Sequence, residues 1–204
     1  MNTQATFFIN ENMRLKSKYF KLSLQKIDYE TLLLESQFPN SHRDIYFKSG
    51  ICAVILEFDV KSMQIFYTDK TQWNNKLLQS WLRKNLKKKI IEVAERVLPA
   101  RLHYWENEKH LKAKGVNVRN LRKCTLGQCS ANNYITLSPK ILLMPEKLMD
   151  SVILHEMAHL VHHHHRKAFW QFLSVLLGED AYEQHLKLSL EMGSKFQYID
   201  FLMK

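Results

Sequence analysis

HEMAHLVHHHH, residues 155–165, places six of the chain's ten histidines within eleven positions. Its first five residues, His155-Glu156-Met157-Ala158-His159, form an HExxH sequence. Two residues four apart on a helix differ by roughly 40° in direction and about 6 Å along the axis. Both imidazoles can therefore reach one ion at the roughly 2.0–2.1 Å of a zinc–nitrogen bond. Glu156 leaves the helix on a neighbouring angle, where a carboxylate can hold a water without ligating the metal. Chance gives HExxH about 0.03 times in a chain of this composition. The preceding LMDSVIL, from Leu148, is apolar on most sides, so the helix is expected to be buried, where three such side chains have no structural reason to stand together.

A catalytic zinc site usually has three protein ligands and one open position. His162, His163, His164 and His165 are all chemically able to supply the third. His162 continues the helical face but lies farther along the axis. His165 lies ten residues after His155, about 15 Å away on an unbroken helix. It can return to the ion only if the chain breaks and turns back after about residue 161, and no glycine is present there to make the turn. The run is internal and in register with HExxH, which argues against a purification tag.

The wider chain is consistent with one globular domain carrying a small appended layer. It has 204 residues, 46% hydrophobic and 25% charged, with five Gly and four Pro. The N-terminus lacks the basic start and apolar run of a signal peptide, and ICAVILEF from Ile51 is too short to cross a bilayer. Cys52, Cys124 and Cys129 follow no disulfide or CxxC spacing. A cytoplasmic setting without membrane association is the expectation. The net charge of +10 is concentrated in residues 81–123, which hold 13 Lys/Arg against 4 Asp/Glu. Such a stretch can contact nucleic acid or nucleotide, or be a solvated helix face. Leu82, Leu86 and Ile90 along one side, with Lys84 and Lys88 roughly opposite, fit the second reading.

Residues 1–70 read as a strand-rich N-terminal region: Phe20, Leu22 and Leu24 alternate with polar neighbours, and IYF (Ile45), the Ile51 run and MQIFYT (Met63) follow. Turns are expected at Pro39 and Ser49. Residues 71–204 read as the catalytic domain. A helix is expected over 72–97, ended by Pro99, and a second over 100–112. VNVRNL, LGQCS and YITLS then read as strands, with Ala131-Asn132-Asn133 as a hairpin turn. Helix follows Pro145 to the end, interrupted near His162–His165, at Gly178 and at Gly193.

The stretch from about Leu98 to Glu191 resembles the YgjP-like metallopeptidase family, a zincin group related in pattern to the WLM and SprT-like peptidases. The matching residues are Leu126-Gly127-Gln128-Cys129-Ser130, Ile135-Thr136-Leu137, Pro145, Asp150, His155 to His159, His165 and Phe169-Trp170. The family's Trp and first Ser are here Leu126 and Gln128, and the Asn before its third histidine is His164. The resemblance implies an α+β zincin-like domain with a small antiparallel sheet and an active-site helix. It also implies His155, His159 and His165 as Zn2+ ligands, Glu156 as general base, and a peptide or protein substrate. An alternative activity, hydrolysis of nucleotide phosphoanhydrides, has been proposed within the family; a third reading is a peptidase or binding protein acting on nucleic-acid-associated targets.

Several further residues keep more than one reading. Asp150 either orients a ligand imidazole or is a carboxylate favoured near a helix start. His162, His163 and His164 either assist at the site or are solvated turn residues. Cys129 is a nucleophile, a ligand or a small packed residue. Phe169, Trp170 and Phe172 read as core anchors for the helix after the turn. The strand around Gly127–Ser130 offers an edge for an extended peptide.

Overall fold

Alternating Leu22 and Leu24 do form a strand, β2 (Lys21–Lys26), in a five-stranded sheet. The computed structural model describes residues 8–38, 41–48, 51–122 and 125–203, except for the side chains of residues 48, 51, 52 and 186–196. The turns expected at Pro39 and Ser49, and Cys124, lie outside the described residues. The chain divides into two compact units, residues 1–89 and 90–204.

In the first unit the sheet order is β1 (Leu15–Lys16), β2, β5 (Ser62–Tyr67), β4 (Ile51–Phe58), β3 (Arg43–Lys48). Only β2 and β5 run parallel. Val54, Ile55 and Leu56 of β4 are all buried, so this strand is covered on both faces. Ile55 packs with Leu32 of α1 (Tyr29–Ser36). Tyr46, cross-strand partner of Val54, meets the Trp81 ring of α2 (Lys76–Lys109) on the opposite face. Helix α1 was not anticipated in a region read mainly as strands. Its start is nonetheless written locally: the Asp28 carboxylate accepts from the Thr31 N–H at 2.8 Å and from the Thr31 hydroxyl at 2.6 Å.

The two helices expected on either side of Pro99 are one, because α2 runs through Pro99. The carbonyl that a proline at 99 leaves without its donor belongs to Glu95, an exposed residue, so water can satisfy it. Buried Leu98 and Leu102 hold the helix on either side of the proline.

In the second unit β6 (Gly115–Val118), β8 (Tyr134–Leu137) and β7 (Gly127–Cys129) form a three-stranded sheet in that order. β7 pairs antiparallel with β8, and β6 pairs parallel with it. The sheet is therefore mixed rather than wholly antiparallel, within the α+β class expected. Asn133, with φ of 61°, makes the expected turn between β7 and β8. A buried 3-10 turn, Pro139–Leu143, leads into α3 (Glu146–Ala158). α4 (Lys167–Leu177) ends at Gly178, whose φ of 75° provides the left-handed cap. α5 (Ala181–Met203) continues through Gly193, where an interruption was expected. Lys140, 2% exposed, holds the far end of α5 through Asp200 at 2.8 Å. No helix among the described residues is long and apolar enough to cross a membrane.

Candidate metal centre

α3 carries His155 and Glu156 on its last turn and stops at Ala158, so His159 is its cap. The backbone keeps helix-like bonds for one more step, with the His162 N–H donating to the Ala158 carbonyl at 2.9 Å. It then leaves the helix axis, and α4 begins at Lys167. Among the described residues the only non-glycine positions with positive φ are His110 and Asn133. The reversal between α3 and α4 is therefore made in ordinary backbone conformations, which is why it needs no glycine.

The reversal brings one ring nitrogen from each of His155, His159 and His165 within 4.8 Å of the others. His155 Nε2 and His165 Nε2 are 2.9 Å apart. Ligand nitrogens around a tetrahedral zinc with bonds of 2.0–2.1 Å stand about 3.3–3.4 Å apart, so adjustments of a few tenths of an ångström at the close pair suffice. His159 Nδ1 donates to the carbonyl of His162 at 2.9 Å, which leaves Nε2 as the lone-pair nitrogen. Phe169, fully buried, supports all three rings: centroid distances are 4.6 Å to His159, 4.6 Å to His165 and 5.0 Å to His155.

Electrostatics suits a cation. Burial, followed by the neighbouring imidazoles, pushes His155 down to about 3. Burial is also the leading cause that lowers His159 and His165. All three rings thus present neutral, ligand-competent nitrogens near pH 7. Glu156 is 6% exposed, and burial lifts its carboxyl from an ordinary 4.5 to about 8, against the opposing hydrogen bond from the Cys129 backbone N–H. A buried carboxylate of this kind is stabilised by a positive charge beside it.

Gly127 sits directly against that carboxyl group. A Cβ at position 127 would lie 2.6 Å from Glu156 Cγ and 2.7 Å from Oε1. The glycine of β7 therefore makes room for the Glu156 side chain, while the backbone two residues on hydrogen-bonds to it. Cys129 contributes its main chain here; its thiol contacts the Ser130 carbonyl at 3.7 Å and is pushed up by burial and by Glu156, as befits a packed residue rather than a thiolate.

Other residues stand differently from expectation. Asp150 is neither a partner of a ligand imidazole nor a simple first-turn carboxylate. It accepts two hydrogen bonds from Arg101, both 2.6 Å, and a third from Trp105 Nε1 at 3.0 Å. His162 is half-buried against Phe172 and supplies the carbonyl that orients His159, whereas His163 and His164 are exposed. Trp170 is not a core anchor. It is half-buried, 5.9 Å from the His165 ring and 6.4 Å from His155. His185 of α5 was not singled out from sequence; it lies 5.6 Å from Trp170 and acts electrostatically on His155 and His165. Nothing in its local sequence marks it, since it is joined to the site only by the packing of α5 on α4.

Three convergent imidazoles beside a buried glutamate, on a helix packed against a mixed sheet, could hold a metal ion. The family model described as YgjP-like, metallopeptidase domain, matches residues 52–189, and the chain belongs to that family. The match begins well before Leu98 and takes in β4 from its second residue, β5 and all of α2. Comparison with curated proteins and with solved structures gives no match. At the level of the family this is a zinc metallopeptidase domain.

Proposed function

We propose that the protein hydrolyses peptide bonds, with zinc held by His155, His159 and His165 and with Glu156 as general base. The observation that carries the reading is the convergence of three neutral imidazoles beside a buried carboxyl group that a cation would compensate. Zinc in such a site supplies Lewis-acid polarisation of a carbonyl and lowers the pKa of water from 15.7 to about 7.

The chain's own groups do the rest. His162, through its carbonyl, fixes the tautomer and orientation of His159. Glu156, held by Gly127 and the Cys129 N–H, accepts the proton of the attacking water and passes it to the leaving amine. β7 is an edge of its sheet, so an extended peptide can add to it beside Glu156. The basic stretch 81–123 adds less than its charge suggests: Arg101 is engaged with Asp150 and Lys89 is buried.

The test is the Glu156→Gln variant of zinc-loaded protein assayed against a peptide library. Zinc retained with cleavage abolished is the expected result. Cleavage at the wild-type rate removes Glu156 from the chemistry.

A further inference from the structure

The metal centre has an aromatic flank that its ligation does not use. Tyr182 and His185 lie three residues apart on α5 and so share a face of that helix. The residues between and beside them divide by burial: Ala181 and Gln184 are buried, whereas Tyr182 is 54% exposed and His185 is exposed. The start of α5 is fixed in place. The Ala181 N–H donates to Ser174 Oγ at 3.0 Å, the Glu183 N–H donates to Asp180 at 2.8 Å, and Gln184 donates to Glu179 at 2.7 Å. Tyr182 meets the Trp170 ring edge-on at 5.4 Å and 89°, and His185 meets it at 5.6 Å. Trp170 in turn reaches the His165 and His155 rings. The three rings therefore form a continuous, partly exposed shelf leading away from the ligands.

We propose that Trp170, Tyr182 and His185 form the subsite for the side chain next to the scissile bond, and that this side chain is aromatic or large and aliphatic. This rests on the peptidase reading above. Consecutive Cα atoms are 3.8 Å apart, so a side chain adjacent to a carbonyl held at the triad reaches roughly 5–7 Å from it, the scale on which Trp170, the inner ring of the shelf, stands from His165 and His155. Offset and edge-to-face contacts favour planar apolar groups on such a surface.

The experiment uses the full zinc-loaded chain and two probes, phenylalanine hydroxamate and glycine hydroxamate, with affinities measured by calorimetry. Wild type should prefer the phenylalanine probe by about tenfold or more. Tyr182→Ala should cut that ratio to about twofold with zinc retained, and His185→Ala should cut it by a smaller factor. Equal affinities in wild type, or an unchanged ratio in both variants, overturns the shelf while leaving the metal site standing. Failure of both probes to bind zinc-loaded protein overturns the active-site reading and the shelf with it. Tighter binding of a nucleoside monophosphate that depends on Tyr182, with no hydroxamate preference, assigns the shelf to a base and also overturns the proposal.

Discussion

The two halves of α3 treat their carboxylates in opposite ways. In the first half, Asp150 faces Arg101 and Trp105 and accepts three hydrogen bonds, so its charge is matched within the fold. In the second half, Glu156 is buried and accepts from the Cys129 backbone N–H, and burial outweighs that bond to raise its pKa. Five residues separate a carboxylate paired with an arginine from one that burial drives toward its protonated form. Burial of an acid without a matching charge is costly for folding alone, and strongly shifted acids of that kind cluster where chemistry is done.

The comparison can be broken by exchanging what each half needs. Glu156→Gln should cost the largest amount, a loss of peptide cleavage on the order of 10²–10⁴-fold for removal of a general base, read as kcat/KM on zinc-loaded protein. Gly127→Ala should come next. Its Cβ must displace the Glu156 side chain, and a misplaced base costs about 10²-fold, with zinc content and Tm near wild type. An activity loss accompanied by loss of zinc would show instead that Gly127 supports the ligands.

Asp150→Asn tests the other half. It should lower stability by about 2 kcal/mol by unpairing Arg101 in a partly buried setting, measured by denaturant unfolding, while kcat per folded molecule stays within a few-fold. A large activity loss at unchanged stability would make Asp150 part of the site. The smallest effect concerns pH in metal-free protein. Glu156 has a folded pKa of about 8 against an ordinary 4.5, so the folded state holds its proton longer than the unfolded one. Below about pH 6.5 the lowered His155, His159 and His165 act the other way, so the Glu156 effect stands alone only above it. Stability should therefore fall as pH rises from about 6.5 to 8, and Glu156→Gln should flatten that part of the Tm–pH curve. A rise in the wild-type Tm across the same window would contradict the assignment.

What the sequence made visible follows from the range of the interactions. HExxH is local, and helical spacing alone brings His155 and His159 together; the strands of the first unit and the β7–β8 turn are equally local. Asp28 as the cap of α1 was also local, but the adjacent Leu32-Leu33-Leu34 carries no clean period to announce a helix. Pro99 reads as a stop, and only the solvent exposure of Glu95 and the burial on the opposite face let α2 pass through it. The partner of Asp150 lies 49 residues away, and the room Gly127 leaves for Glu156 depends on β7 crossing α3. Such contacts have no signature in spacing. His185 entered the site for the same reason, through helix packing.

In the proposed site a glycine-free reversal after Ala158 brings His165 back to His155 and His159, and the three together hold zinc. Metal analysis of wild type and His165→Ala, both purified without affinity resin or added ions, tests it most directly. About one equivalent of zinc in wild type, lost in the variant while the fold persists by circular dichroism, is the expected result. Equal zinc in both proteins, or none in either, would contradict it.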